Sequence, residues 1–203
     1  MDRRIVLGAG ALALAVGALV GPGVAAAVPV PVTLSGPLTC SLTASYRFST
    51  PLNNTGAAST TLAVKGKLTG CTGAGATNGT VTVSGGHFLA TSSGTVANSW
   101  PGISAGAALP NVTGVITWKA TGGKVTATTV TLTAQAISAD SGTDVVSLFA
   151  TPVLSAGSYA TQSAATAGQT GNVAAHILAA KAPKSGVKTV TFGKSGGTFT
   201  IGA

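Results

Sequence analysis

Acid is nearly missing from this chain. Its 203 residues include only three acidic side chains, none of them Glu, and only Asp140 and Asp144 lie beyond the N-terminal stretch. Glycoside hydrolysis uses two carboxyl groups in different electrostatic settings across a cleft. Two Asp on one polar loop, in A-D-S-G-T-D, read instead as turn and loop-capping residues. A tight calcium cage needs further carboxylates that the loop lacks. Cysteine is scarce as well: the two present, Cys40 and Cys71, lack the C-x-x-C spacing and the additional ligands of a metal or redox centre, so no metal site and no cofactor is expected. Aromatic residues are few, with two Trp, two Tyr and five Phe. A membrane-spanning β-barrel wants aromatic girdles and an apolar outer face. No run beyond residue 27 reaches the about 18 consecutive apolar residues of a transmembrane helix.

What the chain does have begins with an address. It opens M-D-R-R, continues with an apolar run over residues 5–20, breaks at Gly21-Pro22-Gly23 and reaches Ala25-Ala26-Ala27. A basic n-region, a short apolar h-region and an A-x-A ending make a secretory signal peptide, with cleavage expected after Ala27. Residues 28–203 then form a single secreted domain, extracellular or at the cell envelope. In such a compartment two cysteines pair, so a Cys40–Cys71 disulfide is expected.

The stretch that organises the rest is residues 38–50, L-T-C-S-L-T-A-S-Y-R-F-S-T. Leu38, Cys40, Leu42, Ala44, Tyr46 and Phe48 alternate with polar residues, the period of a half-buried strand. Residues 61–71 repeat the pattern, with Leu62, Val64 and Leu68 inward and Lys65 and Lys67 outward, and Cys71 closes this strand. A Thr-Val strand over 80–84 meets Gly85-Gly86, where a bulge is expected. Residues 91–109 read as a long loop around Trp100-Pro101-Gly102, and long loops often carry function. Trp100 is therefore the candidate for an exposed stacking surface, with plugging of the open end of a sandwich as the alternative.

Residues 113–120 form a strand in which Trp118 shares the inward phase of Ile116, and a turn at 121–124 ends it. Val125 and Ala127 then fall out of phase with Val130, Leu132, Ala134 and Ala136, which places a bulge at Thr128–Thr129. Residues 143–151 are apolar on both faces and read as a central strand, and Pro152 makes the next stretch an edge or a bend. The one helical candidate is residues 172–181, capped by Asn172 and stopped by Pro183. At the C-terminus, setting Phe192 opposite Phe199 places Val190 opposite Ile201 and predicts a tight hairpin turning at Ser195-Gly196. Short Val/Thr-rich strands without a βαβ alternation imply an all-β fold, an antiparallel sandwich or partly closed barrel of about 8–10 strands with one disulfide and at most one short helix.

Nothing here marks an enzyme. His87 and His176 lack a G-x-S-x-G elbow to serve, and with Ser and Thr this abundant a Ser/His/Asp set in the composition carries no information. The net charge is +8, but the lysines are scattered and Arg and aromatics are rare, which argues against specific nucleic-acid binding. Anionic wall polymers or lipids are the partners that a basic exported surface would attract, with Lys65, Lys67 and Trp100 as candidate surface residues. Lys65 and Lys67 also have a simpler role, keeping an outward strand face soluble.

The leader, C-S-L-T-A-S-Y-R-F-S, K-G-K-L-T-G-C-T-G, G-V-I-T-W-K and the terminal T-V-T-F-G-K-S-G-G-T-F-T-I together resemble the small secreted β-rich proteins of unknown function found in actinobacteria. That resemblance implies export and a β-rich fold, and it carries over no catalytic residues. The expected function is a non-enzymatic structural, adhesive or binding module of the cell envelope. A small-ligand (lipid) carrier with a pocket under the 91–109 loop and an envelope pore are the alternatives.

Overall fold

A computed structural model describes residues 30–139, 145–172, 182, 184–193 and 196–202. The expected leader, Asp140, Asp144, His176 and all of the expected helix except Asn172 lie outside the described residues.

The alternating stretch becomes β1 (Leu38–Leu52), with its even residues buried through Phe48 except Leu42, which is half-buried. β2 (Ser59–Thr60) and β6 (Val96–Ala97) pair in a small sheet of their own. The main sheet holds β3 (Leu62–Thr72), β4 (Thr77–Asn78), β5 (Val81–Ser92), β7 (Ala105–Leu109), β8 (Val112–Thr121), β9 (Thr128–Ala139), β10 (Val145–Ala156), β11 (Ala164–Ala167), β12 (Thr170–Asn172), β13 (Val187–Phe192) and β14 (Thr198–Ile201). A five-residue helix, α1 (Trp100–Ser104), interrupts the 91–109 segment.

Tracing the ladders gives a ring: β1, β3, β5, β8, β9, β10, β12, β13 and back to β1, antiparallel at every step. The fold is therefore all-β, as expected: one curled antiparallel sheet, nearest to the partly closed barrel of the two forms the sequence allowed, with neighbours in the ring in chain order. β1 is the closing strand, with β3 on one edge and the C-terminal strands on the other. The Cys40–Cys71 disulfide forms as expected and joins β1 to β3.

The C-terminus corrects an expectation. β13 and β14 do not pair with each other; both run antiparallel to β1 along the same edge, with Phe192 facing Ala44 and Thr198 facing Ser41. They lie in line along β1 as two pieces of one interrupted strand instead of side by side as a hairpin. Leu42 N–H donates to Gly197 O at 2.7 Å, and Gly193 N–H to Thr170 O at 2.8 Å, so the end of the first piece and the start of the second are both tied down. Gly193 has φ 80°, and a Cβ there would overlap the Leu42 carbonyl oxygen, so the chain needs glycine at the exit. Val190, Phe192, Phe199 and Ile201 still share the inward face, because β1 sets the phase of both pieces.

Bulges in β5 and β9 set which of their residues face out. In β5 the register against β8 shifts between Val83 and Gly85, so the bulge sits at Ser84–Gly85, one residue ahead of the expected Gly85–Gly86: Val81 and Val83 are inward before it, Phe88 and Ala90 after it. The phase change in β9, by contrast, falls at Ala134 rather than at Thr128–Thr129. Ala134 has φ 48°, Val130 and Leu132 are inward before it, and Gln135 and Ile137 after it. Val125 and Ala127 precede the strand altogether, Val125 bridging to Val32. β10 runs on through Pro152, on a stretch whose only ladder partner among the described residues is β9, so the missing N–H costs no pairing there. Its outward Phe149 is exposed, so this strand is not covered on both faces.

Aromatic residues fill the interior and its ends. Tyr46 and Phe192 meet edge-to-face with centroids 5.5 Å apart. Trp118 is buried as expected, packs at 5.1 Å against Tyr159, and its Nε1 donates to Thr128 Oγ1, which donates in turn to Ser158 O. Tyr159 also donates to Gly75 O at 2.7 Å, which closes the end where β1 begins.

Candidate functional site: the outward basic face

Pleating sends the odd residues of β1, β3, β5 and β8 outward through their central stretches. Reading across these strands gives one row of Thr43, Lys67, His87 and Thr117, and a neighbouring row of Ser45, Lys65, Leu89 and Val115. Arg47 lies one pair further along β1, opposite Ala63, and Lys119 extends the face on β8. Lys188 of β13 stands beside Arg47. The two line a shallow depression with Ser49, Thr61 and Ala63.

All five of these Lys and Arg residues are exposed. They make up five of the seven described cationic residues of these two types, the others being Lys124 and Lys184. No carboxylate side chain occurs among the described residues, so nothing described here pairs the charges internally. A sheet face with one sign of charge and a surrounding of hydroxyls attracts anions through its summed field. Lys65 and Lys67 are thus placed where the alternation put them, outward, and the structure adds Arg47, Lys119 and Lys188 from other strands. The sequence does not flag this grouping, because the five are spread over 142 positions and meet only through strand pairing.

Trp100 is a correction. It is fully buried, at 0% exposure, and cannot offer a stacking surface. Ser99 caps α1 by accepting from Gly102 N–H, Trp100 N–H donates to Asn53 O at 2.7 Å, and the indole enters the barrel end where β1 finishes. The side chain acts as a plug. His87 sits exposed with Lys67 and Thr117 as its cross-strand neighbours, and no serine faces it there.

Inside the barrel lies an apolar cavity of about 40 Å³, lined among others by Leu42, Val64, Phe88, Leu132, Leu148 and Gln169. Gln169 Nε2 donates to Ala167 O at 3.0 Å and to Thr198 O at 3.4 Å. Both partners are carbonyls, which fixes the amide orientation and leaves Oε1 buried without a donor. A space of this size suits a water or two, whereas small-molecule pockets run from about 300 Å³ upward.

No protein-family model, no curated protein and no solved structure matches the chain.

Proposed function

We propose that the protein is an exported, non-enzymatic binding module of the cell envelope that holds an anionic polymer or lipid against the outward face of β13, β1, β3, β5 and β8. The observation that carries this reading is the gathering of Arg47, Lys65, Lys67, Lys119 and Lys188 on that face without a described carboxylate among them. The leader-like N-terminus and the disulfide support an oxidising, extracytoplasmic setting. A largely filled lumen supports surface binding over carriage or conduction: the cavity of about 40 Å³ would have to be repacked to take a lipid chain, and Trp100 occupies one end.

Retention on isolated envelopes tests the reading. At low salt the folded protein should sediment with them and be released as ionic strength passes about 0.15 M, where the Debye length falls to about 8 Å. Lys65→Gln with Lys67→Gln should weaken retention without changing the melting temperature. Complete recovery in the unbound fraction at low salt would sink the proposal.

A further inference from the structure

The basic face has an apolar centre. Leu89 and Val115 are exposed at 61% and 43%, and they are direct cross-strand neighbours on β5 and β8. On its other side Leu89 faces Lys65 of β3. A depression lined by Ala63, Lys65, Leu89, Thr91 and Thr113 meets the Arg47–Lys188 depression at Ala63, so island and cations form one continuous surface.

The bulge at Ser84–Gly85 is the cause of this placement. Upstream of it the odd residues Val81 and Val83 point into the barrel, and an unbroken strand would send Leu89 inward with them. The inserted residue reverses the phase, burying Phe88 and Ala90 and turning Leu89 out. The platform is close-fitting, for a Cβ on Gly114 would overlap the Leu89 carbonyl oxygen.

We infer that the anionic partner is a lipid bilayer surface, into which Leu89 and Val115 dip while Lys65, Lys67, Arg47 and Lys188 hold anionic headgroups. The inference rests on the envelope-binding reading above and narrows its partner. A hydrated polyanion satisfies cations and hydroxyls, yet it gives an exposed Leu–Val pair no apolar medium to enter. A bilayer interface does both: acyl chains accept the island, and Lys and Arg stems lie along apolar surface with their heads in the headgroup layer. The exposed apolar residues of β10, Phe149 and Val153, lie on a strand with no Lys or Arg among its described residues, and so provide an internal control.

The test uses the folded, oxidised protein with vesicles of phosphatidylglycerol and phosphatidylcholine in equal parts, vesicles of phosphatidylcholine alone, and soluble polyphosphate as a polymer probe. The expected result is salt-sensitive co-sedimentation with the anionic vesicles only. Leu89→Ser should weaken that binding about tenfold, the worth of burying the 61% of this side chain that is exposed, and leave polyphosphate binding and the melting curve unchanged. Phe149→Ser should change nothing, and Leu89→Trp should shift its emission to the blue on anionic vesicles. Salt-sensitive polyphosphate binding without vesicle binding, or vesicle binding indifferent to Leu89→Ser, would overturn the lipid inference and leave the envelope reading standing. Binding to neither probe, with no retention on envelopes, would remove both.

Discussion

The Tyr46 hydroxyl donates to Gln135 Oε1 at 2.9 Å inside the barrel, joining β1 to β9 across 89 positions of sequence. The same Gln donates from Nε2 to Pro110 O at 2.7 Å, so its amide is satisfied at both ends. This pair gives the physical reason for the bulge at Ala134. Turning Gln135 inward leaves Ala134 in the left-handed region, and the buried polar side chain is tolerated because both of its groups are bonded.

Tyr46→Phe should therefore cost about 1–3 kcal/mol, because it leaves a buried acceptor without a donor. Gln135→Leu should cost a similar amount. The double substitution should cost less than the two together, since one loss no longer strands the other. Urea denaturation of all four proteins checks this, and strictly additive losses would show that the two residues are not coupled.

Removing the disulfide by Cys40→Ala with Cys71→Ala should lower unfolding stability by about 3–4 kcal/mol in the chain-entropy account, given a separation of 31 residues. The bond also holds the start of β1, where β14 must later dock. Denaturant midpoints of the oxidised protein and the double variant measure the difference.

Alkali should destabilise the protein through its two tyrosines. Burial pushes the Tyr159 phenol up to about 12 and Tyr46 further in the same direction, against a usual 10.0. An unfolded chain loses these protons near pH 10 while the folded chain keeps them, so the folded state binds more protons above that point. The tyrosine contribution is thus complete below about pH 10 and is lost progressively towards about pH 12. Tyrosinate absorbance should be absent at pH 10.5 in native protein and rise together with loss of the far-ultraviolet β signal; an early, non-cooperative rise would contradict the burial of both rings.

A chain ending at Lys194 should be insoluble or unfolded. It loses β14, which pairs with both β1 and β11, and with it the burial of Phe199 and Ile201 against the Cys40 end of β1. Each of these side chains is worth about 1.5–3 kcal/mol. A soluble fragment that still melts cooperatively would mean that the ring closes adequately through β13 alone.

The strands themselves were legible because pleating is local: side chains two apart share a face whatever lies across the sheet. The alternation of residues 38–48, the outward Lys65 and Lys67, the inward Trp118 and, to within one residue, the bulge in β5 could all be read from neighbours in sequence. The Cys40–Cys71 bond could be read from having only two cysteines and an export-like leader. Tertiary structure decided what depends on remote partners. The C-terminal pattern fits a hairpin and an interrupted strand equally well, since both put Phe192 and Phe199 on one face; the free edge of β1 selects the second. Gln135 turns inward only because Tyr46 and Pro110 wait there, a contact invisible in T-A-Q-A-I. Trp100, polar-flanked and beside Pro101, has the local chemistry of an exposed loop, yet the open end of the barrel gives its indole more buried area than any loop could. The basic face likewise exists only once ring closure brings Lys188 beside Arg47, for charge density is a property of the surface and not of the chain.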